Sequence, residues 1–249
     1  MSYKLKYLFL IFIFSFSSCS LFDEEEIKLS GKRERVFEIK EQRLIKSNKK
    51  VFLPEPILSD SWSQQNNSVS NHLYHFLSAE KIKKIWEVEI GVGESDLGPY
   101  IVSPIYHNEF IFTIDNRATL QVRNSKTGKL KWSKVLIEES NEKINFMGGL
   151  GAESDMLIIT TALGNVYNFN YVTEELIWKT NLLTQLSSPA SIKNNKVFIA
   201  TDDNQLIVLD LINGDEIWAH SGNLENISII GGPNPAIKNG VVFVTYSSG

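Results

Sequence analysis

Residues 124–132 read Asn124-Ser125-Lys126-Thr127-Gly128-Lys129-Leu130-Lys131-Trp132, and residues 210–218 read Asp210-Leu211-Ile212-Asn213-Gly214-Asp215-Glu216-Ile217-Trp218. In both, a polar residue stands eight places before the tryptophan, Thr127 or Asn213 five places before it, and Gly128 or Gly214 four places before it. A third copy runs from Asn170 through Thr173 to Trp178, with Glu174 where the other two have glycine. A Thr or Asn followed by a residue free to take positive φ reverses the chain between two strands, so each stretch is a turn leading into a tryptophan-bearing strand.

Outward from these turns the pattern persists. On the amino side lie Leu120 and Val122, Val166 and Asn168, and Leu206 and Val208, spaced by two as a half-buried strand requires. About 20 residues before each tryptophan come Ile111-Phe112, Leu157-Ile158 and Val197-Phe198, which predict a second strand. Pro104, Pro189 and Pro235 open three of the segments, at strand starts where a missing N–H does little harm. Trp86 extends the series backwards, so that Trp86, Trp132, Trp178 and Trp218 are 46, 46 and 40 residues apart. One four-stranded sheet with its turns takes roughly 40 to 50 residues, and the repeat therefore predicts an all-β chain of β-propeller blades, each a four-stranded antiparallel sheet.

The same register places a fifth tryptophan near position 263, 20 residues past Phe243, whereas the sequence runs to Gly249. About 3.5 repeats fall between Leu77 and Gly249. A propeller closes to remove its sheet edges, so the expectation is an amino-terminal part of a longer protein, or a truncated product whose last blade is an exposed edge.

Compartment is written into the first twenty residues. Lys4 and Lys6 precede a mostly apolar run from Tyr7 to Phe16, followed by Ser17, Ser18 and Cys19. A run of about ten is too short for a bilayer-spanning helix, which needs roughly 20, and reads as a secretion signal. Small residues before a lone cysteine are what a lipoprotein signal peptidase requires, leaving Cys19 as a lipidated amino terminus. Phe16 departs from the usual leucine, and a plain signal peptide with an incidental cysteine is the alternative. Ser20, rather than Asp, follows the cysteine, which in a diderm bacterium marks export to the outer membrane. Cys19 is the only cysteine, so this sequence contains no intramolecular disulfide. Several acyl chains give durable attachment where one binds weakly.

The expected organisation is a signal peptide over 1–18, a charged tether over 19–50 and a partial propeller over 51–249. The tether begins with Asp23-Glu24-Glu25-Glu26 and ends with Lys46-Ser47-Asn48-Lys49-Lys50. A short amphipathic helix through Val36, Phe37, Ile39, Leu44 and Ile45 is its alternative. Trp62 lies off the repeat register and reads as part of an incomplete first blade or a lead-in strand. Net charge is −4, and −6 without residues 1–18, which argues against nucleic acid as a partner.

No catalytic constellation emerges. His72 and His75, His107 and His220 have no acidic partner at metal-site spacing, so no metal is expected. Asp202-Asp203 and Glu138-Glu139 read as solvated loop pairs. Gly148-Gly149-Leu150-Gly151 lacks the Lys-Ser/Thr of a phosphate loop and reads as a flexible loop opening a blade, like Gly231-Gly232, with close backbone approach near the propeller axis as its reason. The repeated tryptophans have two readings. Each indole either wedges between neighbouring blades with its N–H on a backbone carbonyl, or stacks on a ligand; recurrence at one place in every repeat favours the wedge.

The units Asn124–Trp132 and Asp210–Trp218 resemble the repeat of pyrroloquinoline-quinone-type propellers. Further stretches resemble the BamB family of outer-membrane assembly lipoproteins in its alphaproteobacterial form: Leu53-Pro54-Glu55-Pro56, Trp86-Glu87-Val88-Glu89-Ile90-Gly91, Asp203-Asn204-Gln205-Leu206, Gly231-Gly232-Pro233-Asn234-Pro235-Ala236 and Tyr246-Ser247-Ser248-Gly249. The resemblance implies an eight-bladed ring, lipid-anchored to the periplasmic face of the outer membrane, without cofactor or reaction. It would act as a scaffold beside the assembly channel BamA, holding that protein's periplasmic domains and aiding unfolded outer-membrane proteins. Two rivals share the repeat: a quinone-dependent dehydrogenase, which would need calcium ligands, a catalytic Asp and often adjacent cysteines, and a generic periplasmic binding propeller.

Overall fold

The computed structural model describes residues 49–93, 102–136, 148–223 and 234–247. Cys19, residues 1–48, Glu138-Glu139 and Gly231-Gly232 lie outside the described residues. All strands among the described residues belong to the unit Phe52–Gly249.

The chain folds into successive antiparallel meanders, as a β-propeller does. The first blade comprises β1 (Ile105–His107), β2 (Phe110–Ile114), β3 (Thr119–Asn124) and β4 (Leu130–Val135), in that spatial order. The second comprises β5 (Gly148–Glu153), β6 (Met156–Thr161), β7 (Asn165–Asn170) and β8 (Glu175–Asn181). The third comprises β9 (Ser191–Lys193), β10 (Lys196–Ala200), β11 (Gln205–Asp210) and β12 (Glu216–Ser221). Strands β13 (Ala236–Lys238) and β14 (Val241–Phe243) begin a fourth. The first strand of each blade lies beside the first strand of the next, so β1, β5, β9 and β13 form the inner row.

The core lies between blades rather than within any one of them. Leu120, Val122 and Trp132 of the first blade pack with Leu157, Ile159, Tyr167 and Phe169 of the second. On its other face the second blade turns Ile158, Val166 and Trp178 toward Val197, Ile199, Ile207 and Leu209 of the third. Phe198, Leu206 and Val208 then meet Ile237 of the fourth. Side chains alternate across a strand, so odd and even positions of β7 and β11 feed different cores. That corrects the half-buried pattern expected of these strands: in the second and third blades both faces are covered. Only in β3 do the alternate positions Gln121 and Arg123 stay half-exposed.

Three turns recur in every complete blade at fixed distances from the tryptophan. The first hairpin turns through Asn108 (φ 46°), Ser154 (φ 53°) or Asn194 (φ 52°), and Asn239 (φ 52°) occupies the same place before β14. Between the second and third strands the left-handed residue is Ala118, Gly164 or Asn204. Here Asp115 Oδ1, Thr161 Oγ1 and Thr201 Oγ1 each accept the N–H of the residue four places on, at 2.7, 3.2 and 2.9 Å. The third turn is the one read from the sequence. Asn124, Asn170 and Asp210 each accept two backbone N–H bonds through Oδ1. The residue four places on then closes the turn by donating to their carbonyls. A bulge follows in each copy, where the residue before the tryptophan, Lys131, Ile177 or Ile217, has no partner in the ladder register.

Gly148-Gly149-Leu150-Gly151 is not a loop but most of the inner strand β5. The reason expected for its glycines holds: a Cβ on Gly149 would lie 2.3 Å from the Pro189 Cβ, and one on Gly151 3.1 Å from the Ile192 Cδ1. Two prolines precede an inner strand directly, Pro104 before β1 and Pro235 before β13.

Residues 57–77 take another course. Ile57 pairs with the 75–77 stretch, its N–H donating to the His75 carbonyl at 2.9 Å and its carbonyl accepting from Leu77 at 2.8 Å. Between these closed ends the chain runs along the inner row. Trp62 exchanges two backbone hydrogen bonds with Tyr106 of β1, and Ser63 accepts from the Ala152 amide of β5. Trp62 thus belongs to a lead-in segment, as one of its two sequence readings holds.

Candidate functional site

The repeated tryptophans meet the structure at one kind of place, an indole dock between blades. Trp132 donates its Nε1–H to the Tyr171 carbonyl at 3.0 Å, and Trp178 does the same to the Leu211 carbonyl at 2.9 Å. Trp86, which lies in no strand of the described residues, donates to the Ser125 carbonyl at 2.7 Å. Ser125, Tyr171 and Leu211 hold one position, seven residues before the tryptophan of their own blade. Each indole therefore reaches forward and caps the turn of the next blade.

Burial and charge-free bonding explain the arrangement. Trp132 and Trp178 are only 8% exposed, and an indole carries a large apolar surface with one N–H to satisfy. The acceptor residue is itself tied down, because the N–H of Ser125, Tyr171 and Leu211 donates to Glu109, Asp155 and Asn195 in the first hairpin turn. Trp218 repeats the position on β12 but is 39% exposed, its ring meeting Phe198 edge-on at 6.5 Å.

The turn glycines serve the dock as well as the turn. Gly128 (φ 70°) and Gly214 (φ 77°) are left-handed, and so is Glu174 (φ 68°), which lacks a glycine's freedom. A Cβ on Gly128 would stand 2.9 Å from Cδ2 of Trp86, and one on Gly214 2.6 Å from Cδ2 of Trp178. Thr127 donates its hydroxyl to Asn124 Oδ1 at 3.0 Å, and the Asn213 amide bonds Asp215 at 2.7 Å, both in the exposed turn. The sequence brought Trp86, Trp132, Trp178, Thr127, Gly128, Asn213 and Gly214 to notice but not the carbonyls they meet. Backbone acceptors leave no mark in side-chain identity; only the fixed seven-residue offset could have shown them.

One polar cluster sits beside a dock, and a second lies in the turn between β10 and β11. The Tyr171 ring is buried, and its hydroxyl donates to the Ser154 carbonyl at 2.7 Å while accepting from Asn108 Nδ2 at 2.9 Å. Burial pushes that hydroxyl's pKa up, with the Asn108 bond opposing. Burial also raises the Glu153 carboxyl, with His107 and Lys193 pulling it back. The second cluster corrects the reading of Asp202-Asp203 as a solvated pair. Asp202 is partly buried and accepts from the Ser187 hydroxyl, and burial raises its pKa. Burial also presses Asp203 upward, but bonds from Thr201, Gln205 and Thr184 outweigh it and leave its pKa lowered. Among the described residues no three His, Cys, Asp or Glu side chains gather as a metal site would. The geometry is one of packing and loop presentation.

The model of the family described as outer membrane protein assembly factor BamB matches residues 126–249, the stretch that holds the second and third docks. The chain is similar to BamB-type proteins. It is 24% identical over 168 residues to outer membrane protein assembly factor BamB of Nitrosomonas eutropha, covering 68% of this chain and 38% of that one. The BamB of Yersinia pestis is 23% identical, over 67% of this chain and 43% of that one. The chain thus spans about two fifths of the length of these relatives. Among solved structures, a quinohemoprotein alcohol dehydrogenase from Pseudomonas putida superposes with a TM-score of 0.54 at 12% identity, covering 64% of this chain and 26% of that one. That likeness is one of fold, and the dehydrogenase's chemistry does not come with it.

Proposed function

We propose that this chain belongs to a non-enzymatic scaffold lipoprotein of the outer-membrane β-barrel assembly machinery. It binds the periplasmic part of the assembly channel BamA and aids the insertion of unfolded barrel proteins. Lipid on Cys19 holds it to the periplasmic face of the outer membrane. The match of residues 126–249 to the assembly-factor family carries this reading. The docks support it, because indoles committed to neighbouring blades leave the loops of a stiff sheet stack as recognition surfaces.

The test is recovery of the assembly channel with the full-length protein from gently solubilised envelopes. Retrieval of the protein without the channel would point to a generic periplasmic binding propeller instead. The fold likeness to a quinone-dependent dehydrogenase makes a second assay worthwhile: full-length protein supplied with the quinone and calcium should give no dye reduction, and turnover would overturn the scaffold reading. Cys19→Ala should shift the protein from the membrane to the soluble periplasmic fraction; unchanged membrane retention would remove the anchor from the proposal.

A further inference from the structure

Inner strands of blades present a free edge toward the propeller axis, a row of N–H and C=O groups needing partners. In the described residues that edge is met by residues 62–71, blade after blade. Trp62 pairs with Tyr106 in the first, and Ser63 accepts from Ala152 in the second. At the third, the Gln64 side chain takes the part of a strand: its Nε2 donates to the Ile192 carbonyl at 3.0 Å and its Oε1 accepts from the Ile192 amide at 2.9 Å. At the fourth, Val69 accepts from the Ile237 amide at 2.7 Å, and Asn71 donates to the Asn234 carbonyl at 2.7 Å. Four blades joined in sequence only through their loops are thus joined a second time by one segment of about ten residues.

The composition suits this path. Asn66, Asn67 and Asn71 are left-handed, with φ of 59°, 64° and 52°, a conformation asparagine tolerates better than most side chains. They let the segment bend from blade to blade where an extended strand would run straight. Only Val69 gives an apolar side chain to a core, that of the third and fourth blades. Hydrogen bonds, not burial, hold most of the segment.

We infer that residues 62–71 are an axial strap that locks the angle between successive blades and opens as one unit. The inference is independent of the proposed partner and of the lipid anchor. A strap held mainly by polar contacts is the weakest continuous layer across the sheets, whereas the docks of Trp132 and Trp178 bury apolar surface one junction at a time. Opening the strap therefore frees all four inner edges together while the cores between blades persist, and it gives the blades their low-energy way to change angle.

Native-state hydrogen exchange on the full-length protein tests this. In the wild type the amides of Tyr106, Ala152, Ile192 and Ile237 should share one opening rate, faster than that of core amides such as Ile199. Gln64→Ala removes both bonds to Ile192 and should speed exchange at all four amides by about ten- to thirty-fold, while Gln65→Ala, whose neighbouring amide bonds none of these strands, should leave them unchanged. Acceleration confined to Ile192 would mean independent local contacts and would overturn the strap. Four unrelated opening rates in the wild type would do the same, and need no variant to fold.

Discussion

The rim and the axis of this sheet stack are held by opposite means. At the rim a docked junction has its own indole, packed against the next blade and bonded to a carbonyl at a fixed offset, and the same solution recurs at Trp86, Trp132 and Trp178. At the axis a single polar segment serves four blades, with a different contact at each: a backbone pair, one carbonyl, a side-chain amide, another carbonyl. Repetition stores stability locally, junction by junction. The strap contributes through continuity, and its parts are worth little alone.

The largest effect should come from emptying one dock. Trp178→Ala removes a buried indole and leaves the Leu211 carbonyl with only the Asn168 amide, and should destabilise by about 3–5 kcal/mol. Trp86→Ala, at a half-exposed dock, should lose well under half of that. Chemical denaturation of the full-length protein gives the comparison; equal losses at the two docks would show that burial is not what sets the rim's strength. Gly214→Ala ranks next, at about 2–4 kcal/mol, since it imposes a left-handed alanine and drives a Cβ into the Trp178 ring. A loss there no greater than about 1 kcal/mol would mean the ring shifts freely and the dock is loose.

Much of the rim was legible because identity repeats where chemistry must. Tryptophan has no substitute in size with an N–H, so its spacing gave the blades and their number. Glycine recurs at Gly128 and Gly214, where positive φ and the ring leave no room. Other features were hidden because different residues do the same work. Asp115, Thr161 and Thr201 cap equivalent turns through a carboxylate and two hydroxyls, and no alignment by residue type joins them. The strap was hidden more deeply. Gln64-Gln65-Asn66-Asn67 has neither helical nor strand periodicity, and the partners of Gln64 and Asn71 lie 128 and 163 residues away. Asparagine tolerates left-handed backbone, but its identity does not say what the bends go around.

Exceptions within the repeat sharpen the comparison at about 1 kcal/mol. Glu174 sits in the left-handed position that is glycine in the other two copies. Glu174→Gly should stabilise by about 0.5–1 kcal/mol, the relief of strain being partly offset by glycine's backbone entropy. Asn168 is fully buried where the other blades have Val122 and Val208, and its Oδ1 has no partner among the described residues. Its Nδ2 bonds a carbonyl that Trp178 already satisfies. Asn168→Val should therefore stabilise by about 1 kcal/mol. A loss of similar size would mean the amide fixes the dock's geometry rather than interrupting its packing.

Smallest of all is the opposed pair Asp202 and Asp203, which separates the effects of burial and bonding within one turn. Asp202 has a raised pKa because burial disfavours its charge, so the fold prefers it protonated; its contribution improves as pH falls through the folded value toward the unfolded one near 3.9 and is unfavourable at pH 7. Asp203 is the reverse. Its lowered pKa contributes stability that is present above the unfolded value and is lost as pH falls through the folded one. Asp202→Asn should accordingly raise the unfolding midpoint at pH 7, with the gain shrinking toward pH 4, while Asp203→Asn lowers it at pH 7 and converges with the wild type in stronger acid. The Ser187 hydroxyl can donate to an amide oxygen as it does to the carboxylate, so Asp202→Asn changes charge with little change in bonding. Opposite signs at neighbouring positions would tie the turn's electrostatics to the packing of the third blade, and a loss in both variants at pH 7 would show that hydrogen bonding governs Asp202 as well.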